Sequence, residues 1–140
     1  ISLRMKTHCE NASKVAYFLE NNKSVDHVIY PELQTGTSKK NAEKYLNIGF
    51  GGLVGFELKG GAEAGKKFID NLNLFYHVAN IGDSRSLAIH PATTTHSQLS
   101  NEDKLKSGVS DSYVRLSVGI EHIDDIIDDL TLALDKSQEK

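Results

Sequence analysis

The sequence predicts an α+β domain of two layers, a mostly antiparallel sheet with helices packed on one face. Three observations carry that expectation. Helical and strand patterns alternate along the chain in the order helix, strand, helix, strand, helix, strand, strand, helix, strand, helix. Several strands follow one another without a full crossover helix, which disfavours a doubly wound parallel sheet. And 140 residues with 39% hydrophobic and 25% charged content make one globular domain able to bury a core.

The chain opens inside a helical pattern. Met5, Cys9, Ala12, Ala16 and Leu19 recur at alternating spacings of four and three, one stripe of an amphipathic helix that Asn21-Asn22 ends. Ile1-Ser2-Leu3-Arg4 offers no initiator methionine and no capping residue, as expected of a piece of a longer chain. Val25 to Tyr30 reads as a short strand stopped by Pro31. Residues 31–37 form a turn-rich connector, and Ser38 to Leu46 a polar helix. Two glycine pairs, Gly51-Gly52 and Gly60-Gly61, bracket a strand at Leu53 to Lys59 with Val54, Phe56 and Leu58 on one face. A helix from about Ala62 to Leu72 follows, then strands at Leu74 to Ala79 and at Ser86 to His90.

Ser100-Asn101-Glu102-Asp103 has the form of a capping box for a short helix ending near Gly108. Tyr113 to Val118 is the cleanest strand: Val114, Leu116 and Val118 point one way, Tyr113, Arg115 and Ser117 the other. The last helix sets Ile123, Ile126, Ile127, Leu130 and Leu134 against a face of Asp124, Asp125, Asp128 and Asp129. These aspartates lack the ligand spacing of a calcium loop and read as a solvated face, two of them in the first turn where the helix dipole favours negative charge.

Charge excludes several function classes. Sixteen basic against nineteen acidic residues give −3, with no basic stripe, so nucleic acid and anionic membrane are poor partners. No apolar run reaches the ~20 residues of a membrane span, and no leader is recognisable. The single cysteine, Cys9, cannot form an internal disulfide, fits a cytoplasmic setting, and falls on the apolar stripe as a small core residue. Gly60 to Lys67 imitates a phosphate loop but has Lys67 where the magnesium-binding hydroxyl belongs, and Gly65 falls inside the helical pattern. His90 and His96 straddle Pro91 at a spacing that makes no metal pair, and His77 in its strand reads as structural.

One stretch concentrates polar groups beside a strand: residues 78–96, with a turn at Ile81-Gly82-Asp83-Ser84, a proline-forced extended segment at His90-Pro91, and Thr93-Thr94-Thr95-His96. Together with Arg115 and Ser117 it makes the one plausible site: Arg115, Ser117, Asn80, Ser86 and the threonine run. An arginine fork among hydroxyls and loop amides suits a carboxylate or a phosphate. On pattern alone, an exposed arginine without a ligand and a polar surface loop describe the same residues equally well.

Asn80-Ile-Gly-Asp-Ser-Arg-Ser-Leu, His90-Pro-Ala-Thr-Thr-Thr-His-Ser-Gln-Leu and Val114-Arg-Leu-Ser-Val-Gly-Ile-Glu resemble the C-terminal part of the Cys/Met-metabolism family of pyridoxal-phosphate enzymes. Leu3-Arg-Met-Lys-Thr-His-Cys-Glu-Asn-Ala and Gly51-Gly-Leu-Val-Gly-Phe-Glu-Leu resemble other blocks of that family, in the right order and over nearly the whole chain. His77-Val-Ala-Asn-Ile-Gly-Asp is most similar to the O-acetylhomoserine sulfhydrylase branch. The resemblance implies the small C-terminal domain of the aspartate-aminotransferase-like fold. Residues 1–140 would be the substrate side, the large cofactor-binding domain lying upstream and holding most of the pyridoxal phosphate. Arg115 then matches the anchor of the substrate α-carboxylate. Asn80 matches a position, usually serine, that helps orient that carboxylate, and Thr95 a threonine lining the pocket. No residue here matches a catalytic lysine, so the isolated chain is expected to be inactive. The implied reaction of the whole enzyme is γ-replacement on an O-acylated homoserine, sulfide displacing acetate to give homocysteine, within a homo-oligomer. Cystathionine γ-synthase or lyase and methionine γ-lyase chemistry are the neighbouring alternatives, and a stand-alone amino-acid-binding module is an alternative of another class.

Overall fold

A computed structural model of the chain describes residues 1–94 and 110–139. In chain order these form α1 (Ser2–Glu20), β1 (Val25–Ile29), a 3-10 turn (Pro31–Leu33), α2 (Gly36–Tyr45), β2 (Leu53–Leu58), α3 (Gly61–Asp70), β3 (Tyr76–His77), β4 (Leu87–Ile89), a second 3-10 turn (Pro91–Thr93), β5 (Tyr113–Ser117) and α4 (Ile123–Ser137). The sheet runs β1-β2-β5-β4-β3, antiparallel at every junction but the last, where β3 and β4 are parallel. The sheet is mostly antiparallel, as expected from strands that follow one another without a crossover helix, with the parallel β3–β4 pair added to that reading. The capping-box helix at Ser100 to Gly108 lies outside the described residues.

The core sits on one side of the sheet. Strand alternation sends Val54, Phe56 and Leu58 of β2, and Val114 and Leu116 of β5, to that side, all at most 2% exposed. They meet Ala12, Val15, Ala16 and Leu19 of α1, Phe68 of α3 and Ile126, Leu130 and Leu134 of α4. Phe56 and Phe68 cross edge to face, centroids 5.4 Å apart. Each of the three large α4 side chains contributes about 1.5–3 kcal/mol by leaving water, an upper estimate. No helix among the described residues is long and apolar enough to cross a membrane.

Polar residues tie the layers together where the sequence pattern gave no hint. α1 buries Ala12, Ala16 and Leu19 of the predicted stripe but not Met5 and Cys9 before them. Met5 is 37% exposed and Cys9 only half-buried, while His8 and Asn11 are buried in their place. His8 donates from Nδ1 to the Val118 carbonyl at 2.7 Å. Asn11 Nδ2 spans the Gly119 and Glu121 carbonyls at 3.1 and 3.0 Å. Two buried carbonyl acceptors at the end of β5 outweigh the apolar preference of Met5 and Cys9, since leaving them bare would cost about 1–3 kcal/mol each. Cys9 is therefore not the core residue its spacing suggested.

Asp129 corrects the reading of α4 as well. Three of the four aspartates face water, but Asp129 is buried and accepts the backbone amides of Asn73, Leu74 and Phe75 at 2.9, 3.0 and 3.4 Å. It caps the turn that delivers the chain to β3. That turn also shortens the expected strand, of which only Tyr76–His77 pairs, and leaves His77 exposed and not a packed structural histidine.

Candidate functional site

The face of the sheet opposite the core carries the polar positions of β5. Tyr113, Arg115 and Ser117 alternate with the core residues Val114 and Leu116, as the period of two requires. Opposite Arg115 stand Gly55 on β2 and Ile89 on β4. Gly55 has no side chain to offer, and the Tyr113 ring lies over it: a Cβ there would meet the phenol oxygen at 2.5 Å. Burial raises the Tyr113 phenol above its ordinary value, against the pull of the Arg115 charge.

From β3 the chain must re-enter the sheet as β4 in the same direction, and the nine residues 78–86 make that return. The loop turns at Gly82, whose φ of +75° lies in the left-handed region that glycine adopts without strain. Its apex bears on β5. Arg115 Nη2 donates to the Asn80 carbonyl at 3.2 Å, and the Gly82 amide donates to Ser117 Oγ at 3.2 Å. The structure thus brings Arg115, Asn80 and Ser117 together, three of the residues picked out from the sequence. The Asn80 contribution is its main-chain oxygen; its side chain is exposed.

Arg115 is not fully satisfied by this arrangement. A guanidinium has five N–H donors, and the Asn80 carbonyl takes one. Nε is buried with no hydrogen-bond partner, the one such side-chain atom among the described residues. A buried donor left unpaired costs about 1–3 kcal/mol, so this one requires an explanation.

Ser86 belongs to a different cluster. It is fully buried, donates its hydroxyl to Glu121 Oε2 at 2.9 Å and its amide to Oε1 at 2.6 Å, and accepts the Gly119 amide at 2.9 Å. Glu121 so pins the foot of the 78–86 loop, a role no local pattern announces. Thr95 lies outside the described residues. Thr93 and Thr94 fold back on the carbonyl of His90, whose ring is buried between Thr93 Oγ1 at 3.1 Å and the Asp111 carbonyl at 2.7 Å.

Elsewhere, the stretch with phosphate-loop spacing is the start of α3, with Gly65 packed against His90. No group of three or more metal-ligating side chains occurs among the described residues. A groove of about 960 Å³ runs along α1, past Met5, Cys9, Ile48 and Phe50, but is mostly apolar in lining.

Comparison with known proteins adds to this geometry. The Cys/Met metabolism PLP-dependent enzyme family matches residues 1–135. An O-acetyl-L-homoserine sulfhydrylase of Leptospira meyeri is 53% identical over 135 residues, 96% of this chain and 30% of that protein. An L-methionine gamma-lyase of Fusobacterium nucleatum subsp. polymorphum is 43% identical over 96% of the chain and 34% of that protein. Among solved structures, a Campylobacter jejuni protein described as an O-acetylhomoserine (thiol)-lyase, carrying a pyridoxyl-lysine monophosphate, superposes with a TM-score of 0.88 at 41% identity. The match covers 96% of this chain and 32% of that one. The chain thus spans about a third of the length of the relatives it matches.

Proposed function

The chain belongs to the Cys/Met metabolism family of pyridoxal-phosphate-dependent enzymes, and from that premise we propose that it is the substrate-side, C-terminal domain of an O-acetylhomoserine sulfhydrylase. The observation that carries the proposal is Arg115: one donor on the Asn80 carbonyl, a buried Nε without a partner, and a position on the sheet face opposite the core. Such a guanidinium is preset for a carboxylate, whose two oxygens match its planar fork. Asn80 orients the fork from the loop side, and Thr95 is proposed to line the same pocket.

The described residues do not fit the cofactor itself. Its phosphate calls for a cradle of free backbone amides, and the stretch with that spacing is committed to α3 and to contact with His90. We therefore assign the cofactor mainly to a larger domain upstream and the amino acid's carboxylate to this one. Pyridoxal phosphate, when bound, supplies the electron sink for chemistry on the amino acid's carbons. This chain's part is positional. Arg115 fixes one end of the substrate, which restricts rotation about its Cα and holds the γ-carbon in register. In the whole enzyme sulfide would form the bond to that carbon as acetate leaves, giving homocysteine. Residues 1–140 alone would then bind weakly and turn nothing over.

A second reading has support from the methionine γ-lyase relative at 43% identity: the same carboxylate anchor serving elimination from a thioether amino acid. A substrate screen separates the two. The anchor is tested in the full-length enzyme by Arg115→Ala, which removes a charge-assisted bond of ~1.5–3 kcal/mol and should raise KM about 10- to 150-fold. The cofactor absorbance should persist. An unchanged KM, or loss of the cofactor band, would overturn the assignment.

A further inference from the structure

The Asn80 carbonyl that meets Arg115 Nη2 belongs to a loop with few ties to the sheet among the described residues. Val78, Ala79, Asn80 and Ile81 are all exposed, so among the described residues this part of the loop has little packing to hold it. Its foot is fixed further along, where the Ser84 carbonyl accepts the Ile120 amide at 2.9 Å and Ser86 engages Glu121. Between them, the apex has one tie to the sheet besides Arg115 among the described residues: the Gly82 amide donating to Ser117 Oγ. Ser117 is 4% exposed and two residues beyond Arg115 on the same face of β5. A hydroxyl on a rigid strand thus sets the height of the loop above the strand that bears the guanidinium.

We propose that Ser117 is a positioning residue for the substrate carboxylate: by accepting the Gly82 amide it holds the Asn80 carbonyl against Arg115 Nη2 and so aims the guanidinium. Without that acceptor the apex lifts, the Asn80 carbonyl leaves Nη2, and the arginine samples several rotamers instead of one. The cost falls on binding of the carboxylate, since Ser117 touches neither substrate nor cofactor. The inference rests on Arg115 being the carboxylate anchor.

The test uses the full-length holoenzyme with O-acetyl-L-homoserine. Ser117→Ala should raise KM about three- to tenfold, the value of one ordinary hydrogen bond, with kcat changed by less than about twofold and the cofactor absorbance intact. Ser117→Thr, which keeps the acceptor, should recover most of the affinity. Ser117→Cys, similar in volume but a weak acceptor, should behave like the alanine variant and serves where alanine impairs folding. In an Arg115→Ala background, Ser117→Ala should change KM no further, because the group it aims is gone. A silent Ser117→Ala beside a strongly affected Arg115→Ala sinks the positioning role alone. The same fold-rise in both backgrounds also sinks it, as the mark of an independent structural effect. A silent Arg115→Ala sinks the anchor and the inference together.

Discussion

Replacing Gly65 by alanine sets two effects of opposite sign against each other at one position. Gly65 lies inside α3, and in an exposed helix interior glycine-to-alanine gains about 1 kcal/mol because glycine loses the most backbone freedom on folding. Here the new methyl would sit 2.5 Å from His90 Nε2, with the ring's Cδ2 and Cε1 at 2.8 and 2.9 Å. Relieving that overlap moves the imidazole by most of an ångström. The ring cannot yield freely: Nε2 donates to the Asp111 carbonyl at 2.7 Å and Nδ1 meets Thr93 Oγ1 at 3.1 Å, with the residue fully buried. Overpacking of this kind costs about 1–3 kcal/mol, and loss of a ring hydrogen bond about 1 more. The net expectation for Gly65→Ala is destabilisation by about 1–3 kcal/mol. Equilibrium urea unfolding should show it as a midpoint lowered by roughly 1 M at an unchanged slope. In a His90→Ala background the sign should invert and the alanine at 65 become stabilising. A gain in stability with His90 present would mean that helix propensity outweighs the contact, and would refute the packing argument.

Other perturbations follow from the same geometry. Asp129→Ala strips three backbone amides of their acceptor and should cost about 2–4 kcal/mol by urea unfolding, far more than Asp128→Ala on the exposed side of α4. Burial, with Cys9 and Glu32 adding to it, holds the Tyr30 phenol far above its ordinary value of 10.0, as its Oη donates to the Gly51 carbonyl at 3.0 Å. The folded state therefore disfavours ionisation: stability is fully present below pH 10 and falls above it, by up to about 1.4 kcal/mol per pH unit per such tyrosine. Tyr30→Phe should make that alkaline decline shallower, and an unchanged pH slope would count against it. Gly82→Ala has free space for its methyl but a φ of +75°, so it should cost about 1 kcal/mol through backbone strain alone, readable as a lowered melting temperature.

Much of this molecule can be read from its sequence where the signal is periodic. The alternation of Val114, Arg115, Leu116 and Ser117 fixes a strand and its two faces, and so predicts an arginine on the side away from the core. Ile126, Leu130 and Leu134 do the same for the buried side of α4. Concentrated polar residues beside strands put Arg115 and Asn80 in one candidate site and the resemblance gives them roles, but no spacing rule connects a strand to a loop 35 residues away. What stayed hidden is the polar framework. His8, Asn11, Glu121 and Asp129 each satisfy backbone groups 35 to 110 positions away, or close to it. A polar residue within an amphipathic pattern is assigned to water by default, and only the fold reveals that a bare carbonyl or amide waits opposite. For that reason the pattern puts Met5 and Cys9 on the inward face of α1 where His8 and Asn11 sit, and Asp129 on the solvated side of α4. Ser86, which the sequence groups with Arg115, engages Glu121 in a separate cluster, a partner that proximity in the pattern could not suggest.

The parallel seam between β3 and β4 has a consequence for how this enzyme family member tolerates change. Neighbouring strands that run the same way are normally bridged by a helix-sized excursion, because the chain must travel the full length of one strand before starting the next. Here the paired segments are so short that nine residues suffice, and since an extended chain of that length could span about 30 Å, the bridge arches back through the turn at Gly82. Side chains at Val78 and Ile81 on this bridge are 47% and 55% exposed. The bridge's length bears on where its summit lands: one added or deleted amino acid should displace the Asn80 carbonyl from Arg115 Nη2 and the Gly82 amide from Ser117 Oγ while leaving the core strands in place.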